Sequence, residues 1–178
     1  MLYVALLRGV NMGGKHKLPM KDLAALLEGL GCKAVRTYIQ SGNAVFEAAP
    51  STVADLPEAF AGSIQKKTGF EAPMVLRSAV QWAALLKVNP FLKKGAAPEH
   101  CHVAFLSDKP SPVALKALDP ERSPGDRFAV LGREVYFHLP NGVARTKLTN
   151  AYFDATLKSV CTMRNWNTVE ALWGLAST

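Results

Sequence analysis

Cysteine is scarce: Cys32, Cys101 and Cys161 are the three in 178 residues, an odd number at wide separations. A disulfide framework needs even, clustered cysteines, so these read as reduced thiols of a cytoplasmic protein. No Cys-x-x-Cys pair occurs, which argues against a structural zinc site. Long apolar runs are missing as well. The longest, around residues 79–86, falls far short of the roughly 20 residues that a membrane span requires. Leu2–Leu7 is apolar only as far as Arg8 and lacks a basic leader, so it reads as a strand rather than a signal segment. Acidic residues are the minority charge, 14 against 21 Lys and Arg, leaving a formal charge of +7. Paired carboxylates of the glycosidase kind are not apparent. The expectation is a soluble protein without a membrane partner, a metal or a cofactor.

What is present is an ordinary globular composition: 49% apolar and 20% charged residues, enough to bury a core without disulfide staples. Leu2–Leu7 predicts a strand, followed by a glycine-bearing loop over 8–19. Leu23, Leu26, Leu27 and Leu30 recur at helical spacing, and Gly31 stands where that helix would be capped. Residues 34–40 and 43–47 predict two strands about a Ser41-Gly42 turn. Ser51 opens a second helix, with Val53, Leu56, Phe60 and Ile64 inward and Gly69 as its stop. Residues 72–77 predict a fourth strand. This β-α-β-β-α-β order is the ferredoxin-like arrangement.

A connecting helix is expected over 78–87 and a Gly-, Ala- and Pro-rich loop over 93–99. A similar order then repeats. Strands are expected at 102–106, 128–131, 134–138 and 159–162, with helices at 111–118, 150–157 and 167–175. Gly132-Arg133 marks the second hairpin. The expected fold is α+β, two ferredoxin-like halves packed together, spanning 1–77 and 99–178 and joined by a helix and linker at 78–98. Trp82 and Trp173 read as core, whereas Trp166, between two asparagines, is placed to cover a ligand.

Four segments hold no acidic residue. They are Arg8-Gly-Val-Asn-Met-Gly-Gly-Lys-His-Lys17, Arg36-Thr-Tyr-Ile-Gln-Ser-Gly-Asn43, Leu139-Pro-Asn-Gly-Val-Ala-Arg-Thr-Lys-Leu-Thr-Asn150 and Thr162-Met-Arg-Asn-Trp-Asn-Thr168. They carry Arg8, Lys15, Lys17, Arg36, Arg145, Lys147 and Arg164, with several asparagines and Gln40. If they converge, the result is a positive hollow rich in hydrogen-bond donors, suited to phosphate or carboxylate. Read plainly, the Gly, Asn and Ser residues are turn formers and the Lys and Arg residues a solvated surface.

Gly9-Val-Asn-Met-Gly-Gly-Lys15 matches G-x-x-x-x-G-K, a loop whose glycines let backbone N–H groups wrap a phosphate. His16 then stands where a Ser or Thr would hold magnesium, and Pro19 delays the following helix, so a nucleotidase loop is disfavoured. An anion nest formed by the same glycines stays open. His16 and His138 are candidates for proton transfer, without a carboxylate nearby in sequence to orient either. His100-Cys101-His102 places two imidazoles on one strand face but lacks a distant ligand pair. Ser41 lacks the flanking glycines of a nucleophile elbow.

The four segments resemble the bacterial family called domain of unknown function 1697. The resemblance rests on Leu6-Leu-Arg-Gly-Val-Asn-Met-Gly-Gly-Lys15, Val35-Arg-Thr-Tyr-Ile-Gln-Ser-Gly-Asn43, Arg145-Thr-Lys-Leu-Thr-Asn150 and Thr162-Met-Arg-Asn-Trp-Asn-Thr168, in that order over nearly the whole chain. Residues 90–126 carry no signature of it. It implies a cytosolic α+β protein of two similar halves, and no reaction.

These observations make an anionic small molecule or nucleic acid the expected partner, bound as a phosphate-bearing ligand in a basic, Asn-rich cleft between the halves. The candidate ligand-binding residues are Arg8, Asn11, Gly13, Gly14, Lys15, Arg36, Tyr38, Gln40, Ser41, Asn43, Arg145, Lys147, Arg164, Asn165, Trp166 and Asn167. Two alternatives stand beside this reading. In one, a metal-independent enzyme acts on a small anionic substrate, with Asn11 or Asn43 polarising an oxygen and His16 or Tyr38 moving a proton. In the other, the loops mediate assembly, and residues such as Asn165 and Thr168 serve as caps. The sequence does not set the oligomeric state.

Overall fold

The computed structural model describes residues 1–178, and their contacts group into two compact units, Met1–Ala83 with Leu172–Thr178, and Ala84–Ala171. The first contains β1 (Leu2–Leu7), α1 (Met20–Gly29), β2 (Lys33–Tyr38), β3 (Asn43–Glu47), α2 (Pro50–Thr68) and β4 (Met74–Ser78). Its sheet has the order β2-β3-β1-β4, and every neighbouring pair is antiparallel. The helix α3 (Ala79–Lys87) follows and contains the division between the units.

The second unit repeats the plan with β5 (Cys101–Leu106), α4 (Pro112–Lys116), β6 (Arg127–Leu131), β7 (Glu134–His138), α5 (Asn150–Leu157) and β8 (Cys161–Asn165). Its order, β6-β7-β5-β8, is the same arrangement of equivalent strands. The closing helix α6 (Trp166–Ala176) follows β8 in the chain as α3 follows β4, and it too contains a division between the units. Both halves are ferredoxin-like, as the hydrophobic pattern predicts.

Local chemistry explains most element ends. Pro50 opens α2 at a position where its missing N–H costs no hydrogen bond, so Ser51 is not the cap that the sequence led us to expect. Gly69 ends α2 in the left-handed conformation and donates to Gln65 O at 2.9 Å. Thr149 caps α5 by accepting from Tyr152 N–H. The last strand, expected at 159–162, lies at Cys161–Asn165. The segment 162–168 is therefore a strand running into a helix, not a loop. Three residues of 36–43 likewise belong to β2.

Each unit has its core on the helix-covered face of its sheet. In the first, Tyr3, Ala5, Leu7, Ala44 and Phe46 pack with Leu23 and Leu27 of α1 and Leu56, Phe60 and Ile64 of α2. In the second, Ala104, Leu106, Val135 and Phe137 pack with Phe153 and Leu157 of α5. The opposite faces are buried too: Val4, Leu6, Val45 and Val75 in one sheet, Val103, Phe105 and Tyr136 in the other. Both faces being apolar explains why these strands read as continuous hydrophobic runs rather than alternating ones.

Candidate functional site

Segments 8–17 and 38–43 meet at the end of the first sheet, where β1 runs out. Leu7 N–H donates to Gly42 O at 2.8 Å and Arg8 N–H to Pro73 O at 2.9 Å. Beyond this point the chain folds into a tight hairpin, in which Asn11 N–H bonds His16 O and Lys15 N–H bonds Met12 O, both at 3.0 Å. Gly9, Asn11, Gly13, Gly14 and His16 all have positive φ. Gly and Asn take that conformation with the least strain, which accounts for the composition of the loop.

The Asn11 side chain closes the loop and ties it to the second segment. Its Nδ2 donates to Leu18 O at 2.8 Å and to Gln40 O at 2.7 Å, and its Oδ1 accepts from Leu18 N–H at 2.8 Å. Asn43 is fully buried and braces the second turn, donating to Tyr38 O at 3.1 Å and Ser41 Oγ at 2.9 Å. Asn11, Asn43 and Ser41 thus position backbone.

The glycine and polar residues presented to solvent at this end are Gly13, Gly14, Lys15, His16, Lys17 and Gln40, with Arg8 and Tyr38 half-buried. Glu71, exposed in the adjoining 69–73 connection, is an acidic residue two positions before Pro73. Met12 and Ile39 are exposed apolar tips, and Ile39 takes φ 47°, a conformation that β-branched residues avoid. The His16 ring stacks on Phe70 with centroids 4.7 Å apart, its Nδ1 3.0 Å from Gly9 O. The G-x-x-x-x-G-K stretch is a hairpin, and α1 begins only at Met20, so no helix N-terminus meets it. It does not have phosphate-loop geometry.

Arg36 lies away from this end. Its guanidinium bonds Leu175 O and, at 2.9 Å, Thr178 Oγ1, holding the last residues of the chain. The register places Arg36 beside Val45, Val45 beside Val4, and Val4 beside Arg77, a row across the face that α1 and α2 do not cover. Arg77 is 2% exposed and was not among the sequence candidates; one arginine in an apolar strand carries little signal of its own. Its Nη1 donates to Leu76 O at 2.7 Å.

Arg164 is the counterpart of Arg77 in the second sheet. It stands beside Val103 as Arg77 stands beside Val4, and its Nη1 donates to Met163 O at 2.8 Å and Thr162 Oγ1 at 2.9 Å. Burial pulls its pKa down to about 10, so it stays charged at neutral pH. The residues that follow the two arginines also correspond. Ser78 accepts from Gln81 N–H at 3.2 Å, and Asn165 accepts from Thr168 N–H at 2.8 Å, each capping the next helix.

The remaining candidates have other neighbours. Trp166 is buried, at 3% exposure, and Trp173 is half-buried, the reverse of the sequence expectation. Asn167 is exposed on the first turn of α6. Arg145 and Lys147 are exposed on the loop before α5; Lys147 N–H bonds Ser123 Oγ at 3.1 Å, and its carbonyl accepts from Arg122 Nε at 3.0 Å. Of the sixteen expected ligand residues, the structure therefore gathers Arg8, Asn11, Gly13, Gly14, Lys15, Tyr38, Gln40, Ser41 and Asn43 at one end of one sheet.

A cavity of about 330 Å³ in the second unit is lined by Ser107, Asp108, Asp154, Lys158, Ser159 and Val160. Ser107 Oγ donates to Asp108 Oδ2 at 2.6 Å, Asp108 N–H bonds Ser159 Oγ at 3.0 Å, and Cys161 N–H bonds Asp154 Oδ1 at 2.7 Å. These bonds brace two turns. No three His, Cys, Asp or Glu side chains gather as a metal site. The three cysteines are free and buried, and burial pushes the Cys32 thiol up to about 11.

A family model described as a protein of unknown function (DUF1697) matches residues 1–136. The chain belongs to the DUF1697 family. The match takes in the Gly-rich hairpin, the 38–43 turn and residues 90–126, where motif reading found nothing. Segments 145–150 and 162–168 lie beyond it. No curated protein matches this DUF1697 chain. Among solved structures, it is similar to the conserved bacterial protein SP0830 from Streptococcus pneumoniae. The two are 22% identical, with a TM-score of 0.74 over 99% of this chain and 98% of the other. That likeness is one of fold, over both units. No helix is long and apolar enough to cross a membrane.

Proposed function

We propose that this DUF1697 protein binds a phosphate-bearing ligand, a nucleotide or a nucleic acid, at the end of its first sheet formed by 8–17 and 38–43. The observation that carries this reading is the Asn11 bond to Gln40 O at 2.7 Å, which holds two acid-free segments together. Arg8, Lys15 and Lys17 supply positive charge there. Gly13 and Gly14 leave the hairpin tip bare, with nothing within 4 Å of where a Cβ would stand, so a ligand can approach the backbone closely. Asn11, Ser41 and Asn43 act as positioning residues. The buried free cysteines support a cytosolic setting for this binding.

Titration of the protein with fluorescent mononucleotides and short RNA and DNA oligomers at low salt tests the reading. Lys15→Ala and Arg8→Ala weaken binding in this account, and Lys15→Ala leaves the fold intact, because Lys15 is exposed on the hairpin. Absence of binding to every probe removes the proposal.

A further inference from the structure

The second sheet ends on β6, and that edge is open. All five residues of β6 pair with β7 in unbroken register, from Arg127 with His138 to Leu131 with Glu134. The connection is the two-residue turn Gly132-Arg133, so Leu131 and Glu134 are its closing pair. In a hairpin of this kind the closing pair exchanges both hydrogen bonds, and every second pair from it does so again. Leu131, Ala129 and Arg127 therefore direct their backbone groups at β7, while Phe128 and Val130 direct theirs outward. Nothing else in the fold bonds those outward groups, and the strand is half-buried to exposed along its length.

The equivalent edge of the first sheet is protected. The β2–β3 register shifts between Lys33 and Arg36, Ala34 takes φ 49°, and Arg36 holds the chain terminus. A bulge of this type twists an edge away from further pairing. β6 has no bulge and no proline, and Arg127 is its one charge.

We propose that β6 pairs with β6 of a second copy of this chain, antiparallel about Ala129, joining two sheets into one. The strand is self-complementary in that register. Phe128 stands opposite Val130 of the second copy, an aromatic against a β-branched residue, and both project to the face where they already pack on the core. Their outward N–H and C=O groups meet as reciprocal hydrogen-bonded pairs. Arg127 falls opposite Leu131 rather than another arginine, and the small Ala129 sits on the two-fold axis, where the strands come closest.

Sedimentation velocity across a concentration series, with amide hydrogen exchange, tests this. The wild type is expected to move toward twice the 19.2 kDa chain mass, with the Phe128 and Val130 amides slowing as it does. Val130→Pro removes an N–H that points away from β7, so the hairpin is kept and the dimer is lost. Ala129→Arg places two cations on the axis and gives the same loss by a separate route, should the proline variant fail to fold. A wild type that stays monomeric at all concentrations overturns the proposal. So does a dimer that survives in either folded variant, or protection of the two amides in a monomer.

Discussion

Asn11 and Gln40 lie on separate loops, and the side-chain amide of the first donates to the backbone carbonyl of the second at 2.7 Å. The same amide group closes its own loop on Leu18 from both sides. Asn11→Ala removes all of these bonds and leaves an alanine at φ 53°. The expected cost is about 2–3 kcal/mol, from unmade hydrogen bonds and left-handed backbone strain together. Urea denaturation measures it. Asn11→Gly, which relieves the strain but not the lost bonds, falls between the two proteins.

Two glycines with the same sign of φ have different reasons for being glycine. A Cβ on Gly42 would stand 2.6 Å from Val10 Cγ2 and 2.7 Å from Leu7 Cβ, whereas one on Gly13 meets nothing within 4 Å. Gly13→Ala carries only the left-handed penalty, on the order of 1 kcal/mol. Gly42→Ala adds a core clash and is expected to lose about 1–3 kcal/mol more. Equal denaturation midpoints for the two variants would contradict this.

Arg36 secures the C-terminal residues through Leu175 O and Thr178 Oγ1. Arg36→Ala is expected to speed amide exchange and proteolysis over 172–178. Its stability cost is about 1 kcal/mol, as for a typical hydrogen bond to a charged group that is partly solvated. Binding of phosphate-bearing ligands is expected to be unchanged, because the guanidinium lies away from the hairpin. Limited proteolysis and ligand titration of the one variant separate the two readouts.

Most of the fold is legible in the sequence, because hydrophobic period and turn residues act locally. Gly132-Arg133 and Ser41-Gly42 mark both hairpins, and the span of α5 is read without error. β8 is harder to place. Its Thr-Met-Arg-Asn run is polar for a strand, yet Thr162 is buried and Arg164 bonds the Thr162 hydroxyl and the Met163 carbonyl, so polarity did not mean exposure. At the candidate site, the acid-free segments are visible in the sequence, but which of them meet depends on strand register. Arg36 shares a motif with Gln40 and Ser41 and still projects to another part of the sheet, because it is two residues inside β2. Arg77 became recognisable only once β4 and β8 could be aligned through their partners on β1 and β5.

His102 provides a pH test. Its ring is buried with Nδ1 unpartnered, and burial pushes its pKa below the ordinary value, the nearby His100 backbone opposing in part. The unfolded chain therefore takes up the proton first as pH falls. The neutral ring contributes its full stability above about pH 6.5, and that contribution declines below it until the folded pKa is reached. The melting temperature is expected to drop from about pH 7 to pH 5.5, with a shallower slope in His102→Asn. An unchanged slope would show that other groups carry the pH dependence.

The most direct test of the ligand account is oligonucleotide affinity as a function of salt. With Arg8, Lys15 and Lys17 contacting phosphates, log K is expected to fall with log salt at a slope of about −2 to −3, and Lys15→Ala to reduce that slope by about one. Mononucleotides would show the same loss in the variant with a shallower salt dependence. If wild-type protein binds neither class at low salt, or binds as tightly after Arg8 and Lys15 are both replaced, the hairpin end is not where phosphate is held.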